Sequence, residues 1–500
     1  MPIEVLGGDI HLIELQTRLP FRYGIATMTE APQAFVRLRI RVDGIESTGI
    51  AADLLPPKWF TKCADTSFET EVSEMLATIE AAVELATGTR AETPFDLWRD
   101  LSERQADWGR RQGGGQGDGQ GWPSLLVNFG MTLVERAMIE ALGRARGLSW
   151  FELLHGGGLG IRLAECDSRL AGLEVSDLLP VRMPREVIAR HTVGMLDPLT
   201  DAEIVRGDRL DDGLPESLVG CVSEYGLCHL KIKLSGEIDS DLERLCEIAS
   251  LIESLEVEGF GFSLDCNEQF RDPGLFREYW ERLEGVVDLR GFLGQLLFVE
   301  QPFHRDVALD CDVMGGDCGL ASWSGRPRMI IDESDAEPDS LRRALELGYQ
   351  GTSHKNCKGV FHGVINACLI AYLNRGRSES GLSDFVISGE DLANIGPVSL
   401  LQDLAVAGSL GIRSVERNGH HYFAGLSAFP DSIGDRMLEC HGDLYHRSRD
   451  GWPTLSIRRG RLSLASLQRA PLGVGFELDV ERFVGLESWR AGVRGDSSRG

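Results

Sequence analysis

Apolar and polar side chains alternate along the first fifty residues, over 8–18 and again over 34–50, where Phe35, Val36, Leu38, Ile40 and Val42 stand out. Asp43-Gly44 is a tight-turn pair between two such runs, so this segment predicts an antiparallel meander. The period then becomes helical over 68–88, with Phe68, Val72, Met75, Leu76, Ile79, Val83 and Leu85 recurring on one side. A meander followed by a helix predicts an α+β unit. The stretch RRQGGGQGDGQG (110–121) has no apolar surface to bury and reads as a flexible linker near a domain boundary. A second periodic helical stretch runs from Ser124 to Leu154, and the glycines at 156–158 stop it.

Beyond it the rhythm becomes short apolar runs alternating with amphipathic helices. The runs are KIKLS (231–235), GFSLD (261–265), LLFVE (296–300), MIID (329–332), GTSHK (351–355), FVISGED (385–391) and IRSVE (412–416). Repeated β-α units imply parallel strands, and their number favours a closed barrel over an open sheet. The expected architecture is α/β: a (β/α)8-type, modified TIM barrel under an N-terminal α+β capping domain. The expected domains are a cap over 1–122, a catalytic barrel over 123–425 with insertions near 160–230 and 303–328, and a C-terminal segment over 426–500. That last segment has little periodicity, is expected to pack on the cap, and ends in a frayed SSRG.

Composition narrows the class. With 500 residues, 42% hydrophobic and 26% charged, the chain is an ordinary globular protein, long enough for a large core without metal or disulfide staples. The net charge of −26 repels nucleic acid and anionic lipid alike. Eleven cysteines without a CxxC pair fit a reducing cytoplasm, and Cys311 and Cys318, seven residues apart in a Gly-rich loop, have no histidine pair beside them. No leader follows Met1, and no apolar run approaches the ~20 residues of a membrane span, so a cytoplasmic protein with no membrane partner is expected.

Barrel enzymes keep their chemistry at strand C-terminal ends. Here those ends carry Lys231 and Lys233, then Asp265, Glu300 and Asp332 on three successive strands, then Lys355. Such groups in a barrel mouth are unfavourable unless paired or metal-bound. Three converging carboxylates are hard oxygen ligands suited to Mg2+, with Mn2+ as a substitute.

These runs resemble the enolase superfamily, specifically the mandelate racemase/muconate lactonizing enzyme family and its muconate-lactonizing group, which includes dipeptide epimerases and o-succinylbenzoate synthases. The matching motifs are KxK at Lys231-Ile232-Lys233, DxN at Asp265-Cys266-Asn267, VEQP at 299–302, DES at 332–334 and KxxKG at 355–359. ERAMIEALGRARGLSWFELLHGG (135–157) is similar to the family's helix leading into the barrel. Val360 departs from the pattern, since relatives carry a glycine pair after the second lysine motif. The resemblance implies that Asp265, Glu300 and Asp332 hold Mg2+ with Asn267 and Gln301 supporting them. It also implies that Lys233 and Lys355 face opposite sides of a substrate α-carbon, that Lys231 contacts the substrate carboxylate, and that the chain forms a homo-oligomer.

Removing a proton beside a carboxylate creates an enolate with two negative charges, which a metal must neutralise. A lysine serves as base only when neutral, and a neighbouring cation such as the metal or Lys231 lowers its pKa toward working pH. The expected activity is therefore racemisation or epimerisation of a small carboxylate, such as an N-acyl amino acid or dipeptide. A one-base lyase (o-succinylbenzoate synthase-like or acid-sugar dehydratase), a cycloisomerase, and a non-catalytic metal-binding barrel are the alternatives. Glu390 and Asp391, at a strand end, and Arg22 and Tyr23, in PFRYG of the cap, are candidate substrate contacts. His354 should point to the helix layer because it neighbours Lys355, whereas His420 and His421, in RNGHHYF, fall within reach of the pocket.

Overall fold

A computed structural model of the chain describes residues 2–112, 121–205, 207–316, 319–378 and 384–496. The glycine-rich core of the predicted linker, Cys318 and the terminal SSRG lie outside them. The cap is a meander of β1 (Ile3–Tyr23), β2 (Ala26–Val42) and β3 (Ile45–Leu54), with β4 (Arg90–Ala91) added to β1. Its helices are α1 (Phe68–Ala86), α2 (Pro94–Arg110) and α3 (Ser124–Arg146). Alternation along β2 buries Phe35, Val36, Leu38 and Ile40, and α3 lies over the sheet almost wholly buried. The approach of β3 to α3 requires a glycine, because a Cβ at Gly49 would come within 2.1 Å of the Ala137 carbonyl oxygen. The helical stretch over 124–154 is two helices. Gly147 turns left-handed at φ 62°, and Ser149 opens a second helix, Trp150–His155, in a capping box with Glu152.

Eight parallel strands form the barrel: β5 (Glu186–Val193), β6 (His229–Lys233), β7 (Gly261–Asp265), β8 (Leu296–Glu300), β9 (Met329–Ile330), β10 (Gly351–His354), β11 (Val386–Gly389) and β12 (Ser414–Arg417). They pair in sequence order. Closure comes from β12 pairing with β5, in the register Ser414 opposite Ile188, and from the bridge of Ile331 to Thr352 between β9 and β10. β5 lies inside 160–230, which was expected as an insertion and instead carries the first barrel strand. The chain after β12 returns to both layers: helix Asp431–Cys440, a hairpin of β13 (Tyr445–Arg447) and β14 (Pro453–Leu455), β15 (Arg461–Ser463) antiparallel to β5, and β16 (Val484–Gly485) antiparallel to β1. None of the described helices is long and apolar enough to cross a membrane.

Candidate active site

Period-two alternation in β6 turns Lys231 and Lys233 to one face, and the parallel register sets Lys233 beside Asp265 and Asp265 beside Glu300. One strand further, β9 delivers Asp332, and after β10 comes Lys355, so the six residues expected at the barrel mouth share one end of it. All six are buried. Lys231 Nζ lies 3.0 Å from Asp265, 2.8 Å from Glu300, 2.7 Å from Glu390 and 3.0 Å from Glu416. Lys233 Nζ is 2.6 Å from Asp265, and Lys355 Nζ is 2.5 Å from Asp332. Lys358, whose role the sequence left open, donates to the Ser353 carbonyl at 2.7 Å and lies 3.3 Å from Asp332.

The electrostatics follow from burial and this pairing. Burial works to raise Asp265 and Asp332, yet the lysines outweigh it and hold both below the ordinary carboxylate range, Asp332 far below. Glu300 goes the other way: burial and repulsion from Asp265 and Glu390 push it well up, because it shares Lys231 with three other carboxylates. Lys355 departs from the lowered pKa expected of a base. Burial pulls it down, but Asp332 against its ammonium prevails, so it is held charged, above its ordinary value.

Supporting residues fix the ligands. The Asn267 backbone N–H donates to Asp265 Oδ1 at 2.9 Å. Gln301, in a left-handed conformation at φ 37°, accepts from the Asp332 N–H at 2.7 Å and donates to Ser334 Oγ at 2.7 Å. Glu135 of α3 accepts from the N–H groups of Val360 and Phe361 at 3.0 and 2.6 Å, so the cap helix holds the segment that follows Lys355 and Lys358. Asp53, paired with Arg136 at 2.5 Å, accepts from Asn394 at 2.9 Å and anchors the loop carrying Asp391.

The cleft above these groups is lined by Lys231, Lys233, Asn267, Lys355, Asp391 and Glu416 of the barrel and by Phe21, Tyr23, Met28 and Trp59 of the cap. Trp59, whose ring lies 4.6 Å from Lys355 Nζ, and Glu416 were not singled out from sequence. A hint existed for Glu416, since IRSVE ends in a charge like every other site strand. Tyr23 faces the cleft with its hydroxyl on the Pro57 carbonyl at 2.8 Å, while Arg22 alternates outward and is exposed. Asp391 lines the cleft and is raised to about 6, mainly by burial, then by Asp403 and Glu416 against the opposing pull of Arg417. Glu390 turns beneath it to Lys231 and Arg190. His354 meets the helix layer, as expected: a Cβ at Gly363 would come within 2.2 Å of its Nδ1. His420 and His421 are not at the cleft. They are buried on a short helix, Gly419–Tyr422, which β1 covers through Phe21 stacked on Tyr422 with centroids 4.1 Å apart.

Asp265, Glu300 and Asp332 suit a divalent cation in donor chemistry, although here each is drawn to a lysine and their oxygens do not all lie within 4.8 Å of one another. They are oxygen donors only, they come from three adjacent strand ends, and Glu300 is held up by uncompensated negative charge that a cation would relieve.

No protein-family model matches the sequence, and no curated protein does. Solved structures do resemble it. One is the muconate lactonizing enzyme from Pseudomonas fluorescens complexed with muconolactone, with TM-score 0.56 and 18% identity over 96% of this chain and 98% of that one. Another is an enolase from Bradyrhizobium complexed with magnesium and mandelic acid, with TM-score 0.55 and 14% identity over 98% of both chains. A third is the dipeptide epimerase from Enterococcus faecalis V583 complexed with Mg and the dipeptide L-Leu-L-Tyr, with TM-score 0.53 and 15% identity over 95% of this chain and all of that one. The fold is theirs, a capped barrel, as the motif resemblance implied.

Proposed function

We propose that the chain is an enolase-superfamily enzyme that moves the α-proton of a small carboxylate, acting as a racemase or epimerase on an N-acyl amino acid or dipeptide. The observation that carries this reading is the placement of Lys233 and Lys355. Lys233 ends the second and Lys355 follows the sixth of eight barrel strands, which lie across the barrel from one another, and both line the same cleft. A substrate α-carbon between them presents one face to each ammonium or amine. The lysine on one face takes the proton from the α-carbon, and the lysine on the other returns one, which inverts the centre. Lys231, buried among carboxylates, sets the positive charge beneath the substrate carboxylate. Phe21, Tyr23, Met28 and Trp59 close the cleft with apolar surface, which excludes water and accommodates an apolar substituent.

Asp265, Glu300 and Asp332 would hold Mg2+, or Mn2+ in its place. When bound, the ion supplies charge that stabilises the electron density released onto the carboxylate. Relatives in fold support this reading, because two of those described above were solved with magnesium and a carboxylate-bearing ligand.

The test is exchange of the α-proton for deuterium in heavy water, across dipeptides, N-acyl amino acids and acid sugars, with and without Mg2+. Exchange with inversion that stops on chelation is the expected result. Loss of water or ring closure without inversion would replace the racemase reading by a lyase or cycloisomerase. No exchange from any substrate, despite tight Mg2+ binding, would leave a non-catalytic barrel.

A further inference from the structure

A second cluster of ligating side chains differs from the first in donor type and lies outside the lining of the cleft. His191 of β5, Cys221 of helix Leu218–Tyr225 and His421 of the short helix after β12 offer donor atoms that lie within 4.8 Å of one another. All three are buried, and none lines the cleft. Cys221 Sγ is 3.6 Å from His421 Nδ1. Tetrahedral coordination with metal–nitrogen and metal–sulfur bonds of about 2.1 and 2.3 Å requires about that same separation. Beside the three, His420 Nε2 lies 3.2 Å from His191 Nδ1, and the buried His420 Nδ1 has no hydrogen-bond partner in the structure.

We propose that His191, Cys221 and His421, with His420 beside them, form a binding site for a zinc-class transition-metal ion at the seam where the barrel closes. One further feature bears on the site: His421 presents Nδ1 to Cys221 while its Nε2 faces the Asp197 carboxylate at 3.8 Å, beyond direct hydrogen-bond distance. Asp197 is itself fixed by the Tyr422 hydroxyl at 2.6 Å and the Gly194 N–H at 2.7 Å. The nearby Arg18 cation is neutralised by Asp212 at 2.5 Å.

The three donors come from β5, from the helix preceding β6, and from the turn after β12, so an ion there ties the first barrel strand to the last. Binding forms the sulfur–metal bond as the Cys221 thiol releases its proton to solvent, which makes affinity rise with pH. The site is independent of the proposed carboxylate chemistry: thiolate and imidazole select borderline-soft ions, whereas Asp265, Glu300 and Asp332 select hard ones.

The experiment titrates the full-length protein, in excess Mg2+, with Co2+ as a spectroscopic probe. One equivalent is expected to produce tetrahedral ligand-field bands and a thiolate-to-cobalt charge-transfer band, retained in Asp265→Asn and lost in Cys221→Ser. Should Cys221→Ser fail to fold, the wild-type protein decides alone, since stoichiometric Zn2+ must protect Cys221 from alkylation in mild denaturant. Absence of the charge-transfer band, its persistence without Cys221, or unchanged alkylation of Cys221 would overturn the proposal and leave a hydrogen-bonded His/Cys cluster.

Discussion

Lys231 shows how much one buried charge has to do. Its ammonium is the shared partner of Asp265, Glu300, Glu390 and Glu416, all buried, and no local feature of KIKLS announces the last two. Removing one partner from a buried ionic group leaves uncompensated charge and costs about 3–5 kcal/mol. Lys231→Met in metal-free protein is therefore expected to lower unfolding free energy by about that amount in urea titrations. A loss below about 1 kcal/mol would mean that these carboxylates do not depend on it. The six mouth residues were legible because each ends a strand in a charge, and charges at successive strand ends have few other uses. Their partners were less so: Glu416 carried only the strand-end charge of IRSVE, and Arg190 and Trp59 come from distant segments that meet the site only through barrel closure and the cap.

Among the elements, β5 is the instructive miss. EVIARHTV buries Arg190, His191 and Thr192, so its apolar pattern is broken where a barrel strand would be recognised. What makes their burial tolerable lies elsewhere: Glu390 and Ser388 take Arg190, His420 meets His191, and Glu416 accepts from Thr192 at 2.7 Å. The split of the 124–154 helix, by contrast, was readable in Gly147 and in the S-x-x-E box at Ser149–Glu152. Placement of His420 and His421 near the cleft failed because β1 buries their turn. Element packing also makes a prediction. Gly49→Ala would drive a methyl into the Ala137 carbonyl and push β3 off α3, the helix whose Glu135 holds the chain after Lys355. A destabilisation of about 1–3 kcal/mol is expected from thermal or urea unfolding. Unchanged stability would show that β3 and α3 can part without cost.

At the scale of the whole molecule, pH acts through buried imidazoles. Burial holds His354 at about 3 and His229 and His441 at about 4, below the unfolded value near 6.5. Between those values these rings bind more protons unfolded than folded, so their contribution to stability is full above about pH 6.5 and is lost as pH drops toward 3–4. Buried carboxylates raised to about 6–7, Glu135, Glu140, Glu333 and Asp391, act in the opposite sense over the same range, so the test is differential. Urea midpoints from pH 7 to pH 4 should fall less steeply in His441→Gln than in wild type; the same pH dependence in both would contradict the burial of that ring. The architecture itself was largely open to inference, since seven of the eight strands and the cap meander follow from periodicity, whereas the closure after β12 and the return of the C-terminal segment to β1 and β5 depend on contacts that no local pattern encodes. The central claim is that Lys233 and Lys355 serve opposite faces of one carbon. It is tested most directly by α-proton exchange in heavy water on the separate enantiomers of an exchanging substrate. Lys233→Ala should abolish exchange of one enantiomer and Lys355→Ala of the other, each by about 10²–10⁴-fold, with inversion lost in both. Loss of exchange for the same enantiomer in both variants, with the other untouched, would contradict the two-faced arrangement.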